Sequence, residues 1–475
     1  MRDVVRFTLN GALQEIVRPD PTLTLLDWLR THGRLTGTKE GCAEGDCGAC
    51  TIALVDPSGQ MRAINSCILF LPMVDGCALT TVEGLGGAHP VQGAMVAEHG
   101  SQCGFCTPGF VMSLYAHHAR GGAADAASIS DAIAGNLCRC TGYGPILRAG
   151  EKACAAPRPE PTEPPASDKP LGYDFTAPDG AVRRFYAPTT LNKFAQLAEQ
   201  YPDAIILAGA TDIGLWVTKQ GRVLPTLISA MRVKELQSIR RTAAGLEIGA
   251  AVRYADAHQR LAAIHPSLND YIRRLGAVQV RDSGTVVGNI ANGSPIGDMP
   301  PALIALSARI RLRKGKDQRE LPLEDFYLDY GKQDRAPGEV LTHVSVPKLP
   351  AGAFFAAEKI SKRVEQDISA VSAGFMVRVE GGAVAEARLA YGGMAGVPKL
   401  APAAEAALTG KPWTEATVRA AMGALASDFK PLTDWRGSAD YRLKSARNLL
   451  LRFFHETSKS TAATRITAMR SLAHG

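Results

Sequence analysis

The first part of the chain alternates apolar and polar residues in short stretches, with one helical pattern between them. Alternation runs from Val4 to Leu9, and Asn10-Gly11 is a strong two-residue hairpin signal. We therefore predict a return strand over Gln14 to Val17. The stretch LTLLDWLR has leucines at helical spacing, which predicts a helix after Pro21-Thr22. A further strand is predicted from Thr51 to Val55.

From about His89 to Ala155 the pattern becomes helical. Thr107 is a predicted N-cap with Pro108 at the first helical position, and Pro145 is expected to begin a later helix in the same way. The following stretch, APRPEPTEPPASDKP, is dense in proline and polar residues. It predicts a semi-rigid linker.

Beyond the linker the pattern predicts mixed α and β structure. The stretch AIILAGATDIGLWV predicts a strand to Leu207, a turn of small residues and a helix, an arrangement that can cradle a phosphate. Residues Gly284 to Asp298 carry little side-chain bulk, which indicates close approach of the backbone to a ligand such as a dinucleotide pyrophosphate. Taken alone, each stretch is explained equally well by an ordinary tight turn. No G-x-G-x-x-G follows a strand, so a Rossmann-type site is not supported.

The last part of the chain contains a predicted hairpin around Gly381-Gly382, in FMVRVE-GG-AVAEARLAY. Helical patterns follow from Ala401 to Leu408, from Trp413 to Leu425, and in a run that ends at His455. We expect a sheet with helices on one face.

Composition narrows the class of protein. The 475 residues are 46% hydrophobic and 21% charged, which is typical of a globular protein of several domains. The net charge of +7 is mild, and no basic run is interleaved with aromatic residues, so we expect no nucleic acid partner.

No apolar run reaches the roughly 18 residues that a membrane span needs. The start of the chain does not resemble a signal peptide, and all ten cysteines lie in the first third. These features predict a cytoplasmic protein with metal-bound thiols.

Two groups of cysteines are the candidate metal ligands. Cys42, Cys47 and Cys50 form a C-x4-C-x2-C run followed by Cys67, which is plant-type [2Fe–2S] spacing and is less typical of a zinc knuckle. The second group, C-x2-C and C-x-C, fits zinc or a second [2Fe–2S] cluster, and the neighbouring first group favours iron. Its members are Cys103, Cys106, Cys138 and Cys140. Cys77 and Cys154 are left over and are expected to be plain thiols.

Other kinds of catalytic site are not indicated. His117 and His118 have no spaced carboxylate or histidine partner, so we expect surface residues. The sequence contains no G-x-S-x-G elbow and no Walker loop. Bound redox groups, and not side chains, are therefore expected to carry the chemistry.

Seven motifs in order resemble those of the molybdenum hydroxylases: TKEGCAEGDCGACT, GSQCGFCTPGF, GNLCRCTGYGPILRA, AGATDIG, GNIANGSPIGD, KRVEQDIS and PLTDWRGSADYR. The resemblance covers nearly the whole chain and is greatest to the iron–sulfur/FAD subunit of two-chain bacterial enzymes that oxidise purines. It implies a multidomain α+β fold. The implied parts are a plant-type [2Fe–2S] ferredoxin-like β-grasp domain at 1–78, a helical [2Fe–2S]-binding domain at 79–155, a Pro-rich linker at 156–176, an FAD-binding domain of the vanillyl-alcohol-oxidase/CO-dehydrogenase flavoprotein type at 177–347, and a CO-dehydrogenase-flavoprotein-like α+β domain at 348–475.

The resemblance also implies cofactors and partners. Electrons would pass from a molybdopterin site on a separate large subunit to the second cluster, the first cluster, FAD and finally NAD+. No catalytic residue is expected on this chain, and the assembly is expected to be an (αβ)2 heterotetramer. Gln102 and Cys140 would face the pterin, and Tyr330 would lie on the NAD+ side. The FAD-binding positions carried over are Ile206, Leu207, Ala208, Gly209, Ala210, Thr211, Asp212, Ile213, Thr285, Gly288, Asn289, Asp298, Leu341 and Lys359.

Three departures from the family pattern bear on flavin binding and on the choice of electron acceptor. Leu275 stands where a phenylalanine commonly meets the flavin ring, Val287 replaces the first glycine of a GGN turn, and Val364 stands where the vertebrate enzymes carry an arginine. Two rival interpretations remain. One keeps the architecture and changes the substrate to another N-heterocycle or an aldehyde. The other is a non-enzymatic metal-binding protein with structural zinc.

Overall fold

The fold is described from a computed structural model that covers residues 1–167, 169–458 and 464. Within those residues, no helix has the length and apolarity that crossing a bilayer requires.

The N-terminal region is a five-stranded sheet with one helix packed on it. Its strands, in the spatial order β2-β1-β5-β3-β4, are β1 (Val4–Leu9), β2 (Ala12–Val17), β3 (Thr51–Val55), β4 (Met61–Asn65) and β5 (Ala78–Thr80), and its helix is α1 (Leu25–Thr31). Thr24 caps α1 by accepting a hydrogen bond from the Asp27 amide at 3.0 Å. Trp28 of α1 meets Phe7 edge to face, with ring centroids 5.3 Å apart. The predicted elements of this region are therefore confirmed.

The second region is helical. It contains α2 (Pro90–Ala97), α3 (Thr107–Ala119), α4 (Ala126–Ile133) and α5 (Gly144–Cys154). Helix α3 is buried along most of its length, from Gly109 to Ala116, because it is the central helix of this group. Its N-cap is Cys106 and not Thr107, so that prediction is wrong by one residue.

The third region contains two sheets flanked by helices. The first sheet, in the order β6-β7-β9-β8, comprises β6 (Leu171–Thr176), β7 (Val182–Ala187), β8 (Ile205–Leu207) and β9 (Thr226–Ser229). The second sheet, in the order β10-β11-β16-β12-β13, comprises β10 (Ile239–Arg241), β11 (Gly245–Gly249), β12 (Arg309–Lys314), β13 (Asp317–Pro322) and β16 (Val340–Pro347), with a separate hairpin of β14 (Tyr327–Asp329) and β15 (Lys332–Gln333). The helices are α6 (Leu191–Gln200), α7 (Ile213–Thr218), α8 (Tyr254–Ala262), α9 (Ser267–Arg273), α10 (Val278–Ser283), α11 (Val286–Asn292) and α12 (Met299–Ala305).

The fourth region is an antiparallel sheet covered on both faces. Its strands, in the order β17-β18-β19-β20, are β17 (Ala353–Ile360), β18 (Val371–Glu380), β19 (Ala383–Gly392) and β20 (Lys399–Leu400), and its helices are α13 (Pro402–Leu408), α14 (Glu415–Asp428) and α15 (Ala439–Thr457). Alternate residues of β18 point to opposite faces. Phe375 packs with the helices of this region, whereas Met376 joins the core of the third region with Ala302 of α12. The expectation of helices on one face is therefore incomplete, because α12 covers the other face.

Two further predictions need correction. The predicted linker at 156–176 is too long, because residues 171–176 form β6 and pair with β7. His118 is not a surface residue: only 2% of it is exposed, and its ring nitrogen Nε2 lies 3.0 Å from the carbonyl oxygen of Ala156. The sequence could not show this, because the ring meets Ala156 and His89, which lie far from His118 in the chain.

The N-terminal region does not have a core of its own. Phe7, Leu25 and Leu79 share one continuous apolar cluster with Leu171 and Phe185 of the third region. This packing fixes the cysteine-bearing loops against the region that carries the flavin-type motifs.

Candidate redox-cofactor sites

The first cysteine group lies in the loop between α1 and β3 and in the turn after β4. Cys50 and Cys67 are buried, while Cys42 and Cys47 are partly exposed. The Sγ of Cys42 accepts hydrogen bonds from backbone amides of the same loop at 3.3 to 3.5 Å, given by Glu44, Asp46 and Cys47. Amides directed at a thiolate stabilise its negative charge, as they do in iron–sulfur sites.

The glycines let this loop curl tightly. Gly45 and Gly48 adopt left-handed backbone angles with φ of 75° and 69°. A Cβ on Gly41 would stand 2.7 Å from the Sγ of Cys47, so a side chain there would displace that thiol. The sequence pattern of alternating thiols and glycines thus corresponds to a steric requirement.

The four thiols of the first group are in contact in a row, in the order Cys47, Cys42, Cys67 and Cys50. Hydrogen bonding from Cys47, and then from Cys67, holds the pKa of Cys42 well below its usual range. The same hydrogen bonds to Cys42 raise the pKa of Cys47 and of Cys67. The pKa of Cys50 is lowered, first by its hydrogen bond with Cys67. Thiols this close share protons, and a bound cation that replaces those protons relieves their mutual repulsion.

The second cysteine group lies at the starts of two helices. Cys103 and Cys106 precede α3, and Cys138 and Cys140 precede α5. Cys103 pairs with Cys140, and that contact raises the pKa of Cys140. Burial, and then the contact with Cys138, raises the pKa of Cys106 to about 12. Burial acts to raise the pKa of Cys138 too, but hydrogen bonds from the hydroxyl and amide of Thr141 outweigh it and lower that pKa.

Each group supplies four thiols, which is the ligand set of a [2Fe–2S] cluster. A tetrahedral zinc site needs four ligands around one ion, whereas each iron of a [2Fe–2S] cluster takes two protein ligands. Four thiols within reach of one another can meet either requirement, and the C-x4-C-x2-C spacing of the first group is the plant-type [2Fe–2S] pattern.

The two cysteine groups are joined directly. The amide of Leu137, next to Cys138, donates a hydrogen bond to the carbonyl oxygen of Cys47 at 2.9 Å. The side-chain amide of Asn136 donates to the carbonyl oxygen of Gly48 at 3.0 Å. Gln102 donates to the Cys140 carbonyl at 3.1 Å, and both residues are exposed.

The two flavin-type loops also lie against each other. A Cβ on Gly209 would stand 2.1 Å from the carbonyl oxygen of Ser283, so only glycine permits this approach. Thr285 caps α11 by accepting a hydrogen bond from the Gly288 amide at 3.0 Å. The stretch after Gly284 is therefore a short capped helix, where the sequence suggested a bare turn. The turn residue Ala210 adopts a left-handed φ of 58°.

The predicted positions differ in their surroundings. Leu341 is buried in β16, in the core that also contains Val287 and Leu275. Val287 therefore points its side chain into the core, which explains how this valine is accommodated. Tyr330 and Val364 are exposed by 73% and 59%. The remaining predicted positions, Ile206 to Ile213, lie on β8, the turn after it and the first residue of α7.

The third and fourth regions meet at Asp298. Lys359 Nζ on β17 lies 2.5 Å from Asp298 Oδ2, and Ser369 Oγ donates to Asp298 Oδ1 at 2.5 Å. Nearby buried atoms lack partners within the described residues, namely Asn289 Oδ1 and the Tyr254 hydroxyl. Unsatisfied buried polar atoms beside a glycine-rich cradle fit a bound nucleotide cofactor such as FAD.

Several polar residues at the region boundaries were missed by the sequence reasoning. The side-chain NH2 of Gln279 on α10 lies within hydrogen-bond distance of Thr51, Ser113 and Asn136, and its two hydrogens are shared among them. Gln366 donates to the carbonyl oxygen of Asp46 at 2.7 Å. The partners of Gln279 lie at least 143 positions away in the sequence. No local pattern could have marked these residues.

Comparisons with known proteins agree with this architecture. The chain matches four domain families: the 2Fe-2S iron-sulfur cluster binding domain over 7–71, the [2Fe-2S] binding domain over 81–151, the FAD binding domain in molybdopterin dehydrogenase over 180–349, and the CO dehydrogenase flavoprotein C-terminal domain over 356–457. Two iron–sulfur domains and an FAD-binding domain are therefore present. The predicted multidomain fold class is confirmed.

Individual relatives support the same family. Xanthine dehydrogenase of Drosophila subobscura is 34% identical over 84% of this chain and 35% of its own length. Aldehyde oxidase 4 of Cavia porcellus is 28% identical over 95% of this chain and 39% of its own length. The chain thus spans less than half the length of these curated relatives.

Among solved structures, a carbon monoxide dehydrogenase chain from Hydrogenophaga pseudoflava is 32% identical. It covers 56% of this chain and 94% of its own length, with a TM-score of 0.53. The cysteine loops, the FAD-type domain and these relatives lead to one conclusion: the chain belongs to the molybdenum hydroxylase family of oxidoreductases, as the electron-transfer part that carries the iron–sulfur and FAD-binding domains.

Proposed function

We propose that this chain is the electron-transfer part of a xanthine dehydrogenase, in which a partner subunit oxidises hypoxanthine and xanthine. The reaction served is xanthine, NAD+ and water to urate and NADH. The observation that carries the proposal is the direct hydrogen bonding between the two cysteine loops and the FAD-type region, shown by Leu137 to Cys47 and by Gln279 to Thr51. Hydrogen bonds between the cysteine loops and the FAD-type region support a role in moving electrons, because they would hold bound redox groups near one another. Relatives named xanthine dehydrogenase supply the substrate class.

Each predicted residue has a role in this proposal. Cys42, Cys47, Cys50 and Cys67 hold the first cluster, and Cys103, Cys106, Cys138 and Cys140 hold the second. Gln102 and Cys140 face the pterin of the molybdenum-bearing partner. When bound, the clusters and FAD carry electrons from that partner toward NAD+. The chain would act in the cytoplasm, in an (αβ)2 assembly, with the domain boundaries predicted above except that the linker ends near residue 170.

The FAD-binding roles are equally specific. The turn from Ala208 to Asp212 and the start of α11 would hold the pyrophosphate through backbone amides. Asp298 would meet a flavin sugar hydroxyl while it remains paired with Lys359. Tyr330, on the exposed hairpin of β14 and β15, would lie on the NAD+ side.

The proposal is tested by producing the chain together with its molybdenum-bearing partner and measuring xanthine-dependent NADH formation. We expect NADH formation with xanthine and none with the chain alone. The purified complex should be red-brown, with flavin absorption and two distinct [2Fe–2S] signals in electron paramagnetic resonance (EPR). A colourless protein containing zinc would favour the metal-binding alternative and contradict the proposal.

The second candidate keeps the electron-transfer role and changes the substrate. Aldehyde oxidases are among the relatives, and quinoline 2-oxidoreductase of Pseudomonas putida is among the similar structures. In this candidate the partner subunit would decide the substrate. NADH formation with an aldehyde or another N-heterocycle, and not with xanthine, would favour this candidate.

A further inference from the structure

We propose that Gln279 is a positioning residue that holds the two cysteine loops and the flavin-type loop at fixed distances from one another. The inference rests on the proposed function, because it assumes that both clusters and FAD are bound. Only 1% of Gln279 is exposed. Its side-chain amide lies 3.1 Å from Thr51 Oγ1, 3.2 Å from Ser113 Oγ and 3.1 Å from Asn136 Oδ1. These acceptors belong to the N-terminal and helical regions, whereas Gln279 belongs to the FAD-type region.

Each acceptor of Gln279 is tied in turn to a cysteine loop. Thr51 donates to the Gly48 carbonyl oxygen at 2.7 Å, and Gly48 lies between Cys47 and Cys50. Asn136 donates to the same carbonyl oxygen at 3.0 Å, and it stands two residues before Cys138. A shift of Gln279 would therefore be transmitted to both loops.

On its other side, Gln279 is coupled to the flavin-type loop. It lies on α10, whose last residue, Ser283, donates its hydroxyl to the Gln279 carbonyl at 2.9 Å. The carbonyl of Ser283 is the atom against which Gly209 packs. The next residues, Gly284 and Thr285, begin the second flavin-type loop. One short helix thus joins the network to both flavin-type loops.

Each hydrogen bond of this network has a defined donor and a defined acceptor. Ser113 donates to Asn136 Oδ1 at 2.7 Å, so both side-chain groups of Asn136 are engaged. Gln279 Oε1 has no partner within the described residues, and a Cβ on Gly135 would stand 2.0 Å from it. The Gly48 carbonyl oxygen can only accept, so Asn136 turns its NH2 to Gly48 and its Oδ1 to Gln279. Gln279 must therefore meet that oxygen with its NH2. Buried networks of this kind rigidify the groups they join.

Gln279 takes part in no chemical step. It affects only the distances between the groups that exchange electrons. The test is Gln279→Met in the complex with the molybdenum-bearing partner, because methionine has similar length and no donor. Gln259→Met, at an exposed position on α8 in the same region, is the matched control. Iron and flavin contents, EPR spectra and the rate of flavin reduction by substrate are measured.

We expect both variants to retain iron and flavin at wild-type levels. In Gln279→Met the EPR signals of both clusters should change shape, and flavin reduction should slow severalfold, because the rate of electron transfer falls as the distance between the exchanging groups grows. The second cluster, which receives electrons first, should be reduced at the wild-type rate. Ser113→Ala, which removes the other donor to Asn136, should give a smaller change in the same direction.

The possible outcomes separate the inference from the proposed function. A Gln279→Met protein with wild-type EPR spectra and flavin reduction would overturn the inference alone. Loss of iron or flavin from that variant would overturn it too, because the residue would then act in assembly and not in spacing. If Gln279→Met does not fold, Ser113→Ala decides: a wild-type result contradicts the inference. A wild-type protein without two [2Fe–2S] signals would overturn the proposed function and the inference together.

Discussion

Lys359 Nζ lies 2.5 Å from Asp298 Oδ2, and this ion pair joins the FAD-type region to the C-terminal sheet. The side chains are exposed by only 2% and 10%, so each charge depends on the other. The hydroxyl of Ser369 donates a hydrogen bond to the other carboxylate oxygen of Asp298, Oδ1. The carboxylate is thus both a structural link and the residue proposed to meet a flavin sugar.

Removing this carboxylate should destabilise the protein and weaken FAD binding. In Asp298→Asn the buried Lys359 loses its counter-charge, and we expect a loss of about 3–5 kcal/mol in unfolding free energy. Chemical denaturation and the flavin-to-protein absorbance ratio measure the two effects. The control is Glu415→Gln, which removes an exposed pair with Arg419 on α14 and should cost no more than about 0.5 kcal/mol. Equal effects of the two variants would contradict the role of burial.

The cysteines should divide into ligands and plain thiols. Cys47→Ser should remove one of the two EPR signals and lower the iron content from about four to about two atoms per chain, because one [2Fe–2S] cluster is lost. It should also stop NAD+ reduction while substrate still reduces the molybdenum centre. Cys77→Ser is the control, since Cys77 is buried outside both groups. A Cys47→Ser protein with full iron content would show that this thiol is not a ligand.

The buried thiol of Cys77 should make stability depend on pH in alkaline solution. Burial raises the pKa of Cys77 to about 12 from an ordinary value of 9.0. A raised folded pKa gives stability that is complete below about pH 9 and declines between about pH 9 and 12, by up to about 1.4 kcal/mol per pH unit. Denaturation of wild type and Cys77→Ala is compared at several pH values from 8 to about 10.5. The variant should lose less stability with rising pH, and parallel curves would contradict the prediction.

Two glycines in helices should respond to alanine in opposite ways. A Cβ on Gly214 in α7 would stand 2.5 Å from the carbonyl oxygen of Ile68, which follows Cys67, whereas Gly423 in α14 has open space. Gly214→Ala should therefore cost about 1–3 kcal/mol through overpacking. Gly423→Ala should stabilise the protein by about 0.5–1 kcal/mol, because alanine is the better helix former. Thermal unfolding midpoints measure both, and a Gly214→Ala midpoint at or above that of the wild type would refute the close approach of Gly214 to Ile68.

Much of the local structure was predictable because it depends on neighbouring residues. Strands Val4–Leu9 and Thr51–Val55 were predicted at their observed bounds, and the hairpin at Gly381-Gly382 was also found. The spacing of Cys42, Cys47 and Cys50 indicated a [2Fe–2S] cluster, because the chain itself holds the thiols of one short loop close together. The capped helix after Thr285 was missed, since its glycine and asparagine weaken the helical pattern.

The sequence by itself determined which residue types gather in each loop: the two thiol groups, the glycines that allow the backbone to curl, and the small residues of the flavin-type turns. Only the tertiary structure decided that these loops touch. The contacts of Gln279, Asn136 and Leu137 join segments that lie far apart in the chain, and the pairing of Asp298 with Lys359 joins two regions. Such contacts depend on how whole sheets and helices pack, and no local periodicity encodes them.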